Sequence, residues 1–346
     1  MRAFLAAVVL TALIAGPIAA QSPAPAAPTG VRPQVVRLSH FIHATTKLEP
    51  TIAFYRDIFG MTIPEPRAFS TPGAALLNNI PGLGLRLSMA RFSDGFGFEL
   101  TEFSNTERKG GQGLPTDPGA VQLILPVRSI DDVLANAKKA NAEILSKSNG
   151  APGPVAIKTG SGTARALIIR DVDGYLVRAI EVPAAEATQP GLVQPGVSLA
   201  LAVKDMDATV KFYREVVGMD LAGDMKFTRD KAMSDLYGAP AGSEYRQMGT
   251  AFPNLKARQE FYEWKGMKRT PFQLRVPDPG AGGWVAYVND LEGMFKKMKE
   301  HKVATVTPEP IWFSKTTLDI FISDPDGMHL ELAYNVPQPP APKPSN

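Results

Sequence analysis

A duplicated phrase is the feature of this sequence that most constrains its fold. Residues 51–61 read TIAFYRDIFGM and residues 209–219 read TVKFYREVVGM, an offset of 158 positions. A second echo pairs RDVDGYLVRAIEV at 170–182 with SDPDGMHLELAYN at 323–335. Because both echoes keep their order over almost the whole chain, the sequence predicts two copies of one structural unit.

Each half divides again into two modules with the same order of elements. Apolar residues at helical spacing predict four helices, at 48–60, 129–141, 205–217 and 290–300. Alternating or continuously apolar segments predict the strands 37–45, 83–90, 96–103, 119–127, 164–170, 175–182, 196–203, 245–252, 257–264, 283–288, 316–322 and 328–334. Each module therefore begins with a strand and a helix and ends in strands.

The first residues have the pattern of a secretory signal. Arg2 precedes an apolar run that ends in small residues near Ala20, and a Pro/Ala-rich stretch follows. The sequence therefore predicts a periplasmic or secreted protein with a signal peptide at 1–20 and a flexible leader at 21–36. The predicted remainder is a first domain at 37–183, a linker at 184–195, a second domain at 196–335 and a disordered tail at 336–346.

Charge and composition exclude several classes of partner. The net charge is +3 without a basic run, so nothing indicates binding to nucleic acid or anionic lipid. Beyond the signal segment no apolar stretch is long enough to span a membrane. The chain has no cysteine, which excludes disulfides, thiol chemistry and a lipid-modified cysteine. The expected partner is a small molecule, bound by a monomer or homodimer.

The repeated motifs resemble the vicinal oxygen chelate superfamily. Each half has FYR near the end of its first helix, GM after it, and D-x-D-G in its final hairpin. The superfamily includes glyoxalase I, extradiol dioxygenases, methylmalonyl-CoA epimerase, fosfomycin-resistance proteins and bleomycin-binding proteins. Over residues 37–335 the resemblance implies an α+β fold, in which four βαβββ modules form two paired, cup-shaped domains.

The resemblance also assigns inward-facing positions, one on the first strand and one on the last strand of each module. In modules one to four they are His40 and Glu99, Gln122 and Arg178, Ser198 and Glu260, and Gly283 and Glu331. It implies metal ligands among His40, Glu99, Gln122 and Glu331, catalytic roles for Glu99 and Arg178, and substrate contacts from Arg178, Ser198 and Glu260. The implied cofactor is one divalent metal (Fe, Mn, Zn or Ni), and no organic cofactor is indicated.

Two pairings of the modules remain open at this point. If modules one and two pair, His40 and Glu99 share a cup with Gln122 and Arg178. If modules one and four pair, they share it with Glu331 and Gly283. The linker at 184–195 is long enough for either arrangement.

Three further features have alternative readings. His43 is three residues from His40, so the two side chains should leave a strand on opposite faces. His329 is two residues from Glu331 and is expected to be a solvated strand histidine rather than a ligand. Segment 223–248 is an insertion that acts either as a lid or, more simply, as a surface loop.

The function expected from these features is that of an exported enzyme acting on a small oxygen-rich or aromatic molecule, by a lyase, isomerase or ring-cleavage reaction. The alternatives are a non-catalytic protein that sequesters a small molecule, like the bleomycin-binding relatives, and a metal-free lyase. Neither the substrate nor the reaction follows from the sequence.

Overall fold

The computed structural model describes residues 31–337, apart from residues 70, 112 and 161. The predicted signal segment 1–20, residues 21–30 of the predicted leader and residues 338–346 of the predicted tail lie outside this range. Within the part of the chain that the structure describes, no helix has the length and apolarity needed to cross a membrane.

The first half contains modules one and two. Module one consists of β1 (Val35–Thr45), α1 (Leu48–Phe59), β2 (Arg67–Ala68), α2 (Pro72–Leu77), β3 (Gly84–Arg91) and β4 (Gly97–Ser104). Module two consists of β5 (Val121–Val127), α3 (Ile130–Lys139), β6 (Glu143–Ile144), β7 (Lys147–Ser148), β8 (Ala151–Pro152), β9 (Val155–Thr159), β10 (Gly162–Arg170) and β11 (Leu176–Glu181). A short 3₁₀ turn, Ala184–Glu186, follows.

The second half repeats the plan in modules three and four. Module three consists of β12 (Ser198–Val203), α4 (Met206–Phe212), a π-helical turn (Tyr213–Val217), β13 (Ala222–Thr228), α5 (Lys231–Tyr237), β14 (Glu244–Ala251) and β15 (Arg258–Lys265). Module four consists of β16 (Gly282–Val288), α6 (Leu291–Glu300), β17 (Ile311–Trp312), β18 (Thr317–Ser323) and β19 (His329–Asn335). The predicted order of major strands and helices is therefore confirmed.

Local chemistry sets the ends of the helices. α1 ends at Gly60, whose φ of 65° is left-handed and whose N–H donates to the carbonyl of Arg56. α3 begins after Ser129, whose hydroxyl accepts a hydrogen bond from the N–H of Asp132. Both ends lie within two residues of the predicted ones.

The sheets pair the modules crosswise. The first sheet has the order β17-β18-β19-β16-β1-β4-β3-β2, so it joins modules one and four. The second has the order β13-β14-β15-β12-β5-β11-β10-β6, with β9 beside β10, and joins modules two and three. The predicted ranges 37–183 and 196–335 describe the sequence duplication, whereas each sheet takes one module from each of them.

Each sheet has a helix-covered face and a concave face. The helix-covered faces meet in the largest apolar core of the described residues, which includes Phe41, Tyr55, Tyr213 and Trp284. Separate apolar clusters line the two concave faces, around Phe103 in the first sheet and around Trp264 in the second. We call these concavities the first cup (modules one and four) and the second cup (modules two and three).

A buried hydrogen-bond network joins module one to the D-x-D-G turn of module two. His43 is on the helix-covered face, opposite His40 as predicted, and its Nε2 lies 2.7 Å from Asp171 Oδ2. Asp171 also accepts hydrogen bonds from the N–H groups of Asp173 and Tyr175 and from the hydroxyl of Tyr55. The predicted hairpin turn therefore also links two modules that belong to different sheets.

The equivalent turn in the second half has no imidazole. Leu201, which lies 158 positions after His43, occupies the matching place on β12. Asp324 accepts hydrogen bonds from the N–H groups of Asp326 and Met328 and from the hydroxyl of Tyr213. Burial, with a smaller contribution from Asp326, raises the pKa of Asp324 to about 7.

We predict that Asp324→Asn weakens the pH dependence of folding. The pKa of Asp324 is about 7 when folded and near 3.8 when exposed, so between these values only the folded state holds the proton. The free energy of unfolding therefore falls as pH rises through this window, by up to about 1.4 kcal/mol per pH unit for one proton. Asn cannot titrate, yet it keeps the acceptor for the two turn N–H groups.

Urea unfolding at pH 5 and pH 8 measures this difference. The control is Asp224→Asn, a solvent-exposed acid on β13, which should retain the wild-type fall. Equal pH dependence in Asp324→Asn and the wild type would contradict the prediction.

Candidate functional site

The first cup holds a cavity of about 380 Å³ between modules one and four. Its ionisable lining residues include His40, Glu99, Asp319, His329 and Glu331. The remaining walls are mainly apolar and aromatic, with Phe69, Leu77, Leu85, Leu87, Met89, Phe103, Val285, Phe313 and Phe321 among them. A cluster of acids and imidazoles in an apolar cavity is typical of a small-molecule site.

Strand register brings His40 and Glu99 together. β1 and β4 are parallel, with His40 opposite Gly97 and Ile42 opposite Glu99. The Nε2 atom of His40 lies 3.5 Å from Glu99 Oε2, and the hydroxyl of Thr101 donates to Glu99 Oε1 at 2.7 Å. The predicted meeting of His40 and Glu99 in one cup is confirmed by this geometry.

The imidazole of His40 is oriented as a ligand would be. Its Nδ1 lies 3.0 Å from Ser39 Oγ, so a proton held on Nδ1 leaves the Nε2 lone pair facing the cup. Burial lowers the pKa of His40, against an opposing effect of Glu99. The neutral imidazole, which is the form that binds metals, is therefore favoured at neutral pH.

Two more carboxyl groups enter the cup from module four. β18 and β19 are antiparallel, with Phe321 opposite Glu331 and Asp319 opposite Ala333, so Asp319 and Glu331 share the concave face. Burial raises the pKa of Glu331 well above its ordinary value, and Asp319 and Glu99 add to the rise. Burial also raises the pKa of Asp319 to about 7.

The fourth inward position of this cup, Gly283, carries no side chain. β16 and β19 are parallel and Gly283 is opposite His329. A Cβ atom at residue 283 would lie 1.8 Å from the carbonyl oxygen of His329. Only glycine fits where the two backbones approach so closely, so the first strand of module four offers no side chain to the cup.

His329 differs from the sequence-based expectation. It is buried rather than solvated, with 5% of its surface exposed. Its Nε2 lies 2.7 Å from the carbonyl oxygen of Leu274 and its Nδ1 lies 3.4 Å from Ser323 Oγ. Because the Leu274 carbonyl can only accept, Nε2 carries the proton and has no lone pair to offer a metal.

The second cup brings together the other four inward positions, Gln122, Arg178, Ser198 and Glu260. Arg178 Nη2 lies 2.5 Å from Glu260 Oε2, and Nη1 donates to the hydroxyls of Tyr237 and Tyr262 at 3.1 Å. Tyr262 in turn donates to Glu260. The guanidinium and the carboxylate therefore neutralise each other within the protein, although the Nε atom of Arg178 has no acceptor among the described residues.

Segment 223–248 closes this second cup. It forms part of β13, the helix α5 and part of β14, and α5 places Met233, Leu236 and Tyr237 in the apolar cluster that fills the concavity. The segment is thus not a plain surface loop, because its helix is packed into the cup. Ser198 is turned away to the backbone, since its hydroxyl donates to the carbonyl of Gly196.

A second group of possible metal ligands is the D-x-D-G network. His43, Asp171 and Asp173 offer ligand atoms within 4.8 Å of one another. Among the described residues, the ionisable side chains of the first cup do not form a group this compact. However, Asp173 already accepts hydrogen bonds from the N–H of Thr46 and the hydroxyl of Thr51. With every Asp oxygen engaged and the side chains sealed from solvent, this network fits a structural role better.

The first cup fits a divalent metal by its chemistry. His40 offers one nitrogen, and Glu99 and Glu331 offer carboxylate oxygens, a donor set suited to a hard or borderline cation. Three acids near one another in a partly apolar cavity are costly unless a cation or protons compensate them. Gln122, named with these residues as a ligand from the sequence, lies in the other cup.

Sequence reasoning missed Asp319. The signal was present, because TLDIFIS at 317–323 places one acid inside an otherwise apolar strand. The sequence also did not reveal that His43 bonds to Asp171, a pair 128 positions apart.

Comparison with known proteins agrees with this architecture. Residues 197–332 match the model of the Glyoxalase/Bleomycin resistance protein/Dioxygenase superfamily. The lactoylglutathione lyase GLX1 of Arabidopsis thaliana is 25% identical over 185 residues, which cover 54% of this chain and 56% of that protein. The match thus spans little more than half the length of this curated relative.

Solved structures share the fold across most of the chain. Glyoxalase I from Zea mays has a TM-score of 0.56 at 19% identity, covering 86% of this chain and 92% of the maize chain. A putative dioxygenase from Bacillus subtilis has a TM-score of 0.51 at 12% identity, covering 88% of this chain and 86% of its own. At these identities the likeness shows the fold alone.

The fold and the paired cups have the vicinal oxygen chelate architecture. Residues 197–332 match the Glyoxalase/Bleomycin resistance protein/Dioxygenase superfamily, and the chain as a whole shares the fold of glyoxalase I over 86% of its length.

We predict that Arg178→Ala destabilises the fold without affecting the first cup. The change leaves the Glu260 carboxylate and two buried hydroxyls without their cation, at a cost of about 3 kcal/mol or more. Urea unfolding measures the loss.

The double variant Arg178→Met, Glu260→Gln should recover much of this loss, since neither charge remains. Destabilisation below about 1 kcal/mol, or loss of metal from a fully folded Arg178→Ala, would contradict the prediction and restore Arg178 as a site residue.

Proposed function

We propose that this protein is an exported, metal-dependent enzyme that acts on a small molecule with neighbouring oxygen atoms and an apolar or aromatic body. The observation that carries the proposal is the composition of the first cup. One imidazole and two glutamates line a cavity of about 380 Å³ whose other walls are mainly apolar.

The chain's residues divide the work by position. His40, Glu99 and Glu331 would hold the metal, and Ser39 would keep the imidazole oriented through Nδ1. When bound, a divalent metal supplies Lewis-acid polarisation of substrate oxygens. A cup carboxylate, Glu99 or Glu331, would accept and return a substrate proton, and the phenylalanine-rich walls would exclude water.

The lining of the cavity limits the substrate. Among the described residues that line it, Arg67 is the one side chain with a permanent positive charge. A glutathione adduct carries two carboxylates that need such partners, so a glutathione-free substrate is favoured. The reaction class remains that of a lyase, isomerase or ring-cleavage enzyme.

Non-catalytic sequestration of an apolar molecule is the rival function, and the apolar walls of the first cup favour it. The two functions differ in whether the acid cluster binds a metal.

We predict that purified protein carries about one divalent metal per chain and that His40→Ala weakens its binding about 100-fold or more, because a ligand loss should exceed the usual effect of an outer partner. Elemental analysis of protein purified without chelators gives the stoichiometry. Thermal unfolding should show that His40→Ala remains folded.

His43→Ala is the matched control. It should lower the melting temperature, since it removes the imidazole partner of the buried Asp171, yet keep the metal content of the folded protein. Metal lost from His43→Ala but kept by His40→Ala would place the metal in the D-x-D-G network. A metal-free wild type would favour the sequestering function.

We also predict that the exported protein begins near Gln21, because the apolar run ends in small residues typical of a cleavage site. Expression with its native N-terminus in a Gram-negative host, followed by intact-mass measurement of the periplasmic fraction, tests this. A variant with Leu5→Arg and Leu10→Arg should stay in the cytoplasm with its leader. Periplasmic protein of full mass would contradict the prediction.

A further inference from the structure

Asp319 is a buried acid of the first cup that the sequence analysis did not assign. It has 2% of its surface exposed, lines the cavity and lies on the concave face of β18. Its Oδ1 atom finds no hydrogen-bond donor among the described residues. A buried carboxylate oxygen without a donor costs free energy unless something outside the chain binds it.

The position of Asp319 complements the missing fourth side chain. A Cβ at Gly283 is excluded by the carbonyl of His329, so the first strand of module four cannot supply a ligand. Asp319 belongs to the same module but to its third strand, and it lies diagonally beside Glu331 across the β18–β19 pair. Module one has no acid at the equivalent position. Asp319 lies twelve residues before Glu331, and the residue twelve before Glu99 is Leu87.

We propose that Asp319 is the fourth protein ligand of the metal in the first cup. This inference rests on the proposed function, because it assumes that His40, Glu99 and Glu331 hold a divalent metal. The resulting donor set has one nitrogen and three carboxylates. Such a set favours Mn²⁺ or Fe²⁺ over the softer cations that prefer sulfur or several imidazoles.

The geometry of the pair agrees with this assignment. Asp319 and Glu331 lie on the same concave face of neighbouring strands and both line the cavity. A divalent cation between them would compensate both carboxylates at once.

Titration of chelator-treated protein with Mn²⁺, with free Mn²⁺ followed by electron paramagnetic resonance, tests the inference. The wild type should bind one Mn²⁺, and Asp319→Asn should weaken the affinity by about 10- to 100-fold, because an amide oxygen donates less charge than a carboxylate. Circular dichroism and urea unfolding establish that the variant is folded.

Asp324→Asn is the matched control, since it changes a buried acid of the same hairpin that faces the D-x-D-G turn instead of the cup. It should bind Mn²⁺ within about threefold of the wild type, a difference below 1 kcal/mol. His40→Ala serves as the positive control for loss of a ligand.

The outcomes separate the two proposals. Equal Mn²⁺ affinity in Asp319→Asn and the wild type, with binding lost in His40→Ala, would overturn the role of Asp319 alone. A wild type that binds no divalent metal would overturn the metal-dependent function and this inference together. Equal weakening in Asp319→Asn and Asp324→Asn would show a general effect of the hairpin and overturn the inference.

Discussion

Backbone pairing between β1 and β16 is the constraint on which the rest of the site depends. The two strands are antiparallel and place His40 opposite Val285, which joins module one to module four although these residues are 245 positions apart. Because side chains alternate along each strand, this register decides which face His40, Glu99 and Glu331 share. The crosswise pairing thereby selects one of the two ligand sets that the sequence left open.

The two cups show how one register can support different chemistry. Every module uses the same register between its first and last strands. In module one, for example, His40 on the first strand is paired with Gly97 on the last strand, and the inward Glu99 lies two positions after Gly97. In the first cup these positions keep an imidazole and two acids around a cavity. In the second cup an arginine and a glutamate neutralise each other, and Tyr237 from α5 fills the space. The difference is one of side-chain charge and volume, not of backbone.

Most of the fold followed from the sequence because its signals are local or repeated. Helix α1 was predicted from its apolar spacing and Gly60, and it runs from Leu48 to Phe59. The four inward pairs followed from the family register. The features that the sequence did not predict depend on contacts between distant segments. They are the choice of Glu331 over Gln122 as the partner of His40, the hydrogen bond between His43 and Asp171, and the helix α5 within segment 223–248. Pairing between distant strands and burial of one short helix leave no periodic signal.

The strained electrostatics of the first cup point in the same direction as its geometry. A fold can tolerate a buried acid when hydrogen bonds satisfy it, as the D-x-D-G turn does for Asp171 with two backbone N–H groups, an imidazole and a phenol. In the first cup no described residue donates a hydrogen bond to Asp319 Oδ1. A neutral residue of similar size at this position would avoid the free-energy penalty of burying a carboxylate. A buried acid such as Asp319, held in an apolar cavity with an oxygen that has no donor among the described residues, is arranged for a ligand rather than for stability. That contrast between two acid clusters in one chain is the physical reason to place the chemistry in the cup and the structural role in the turn.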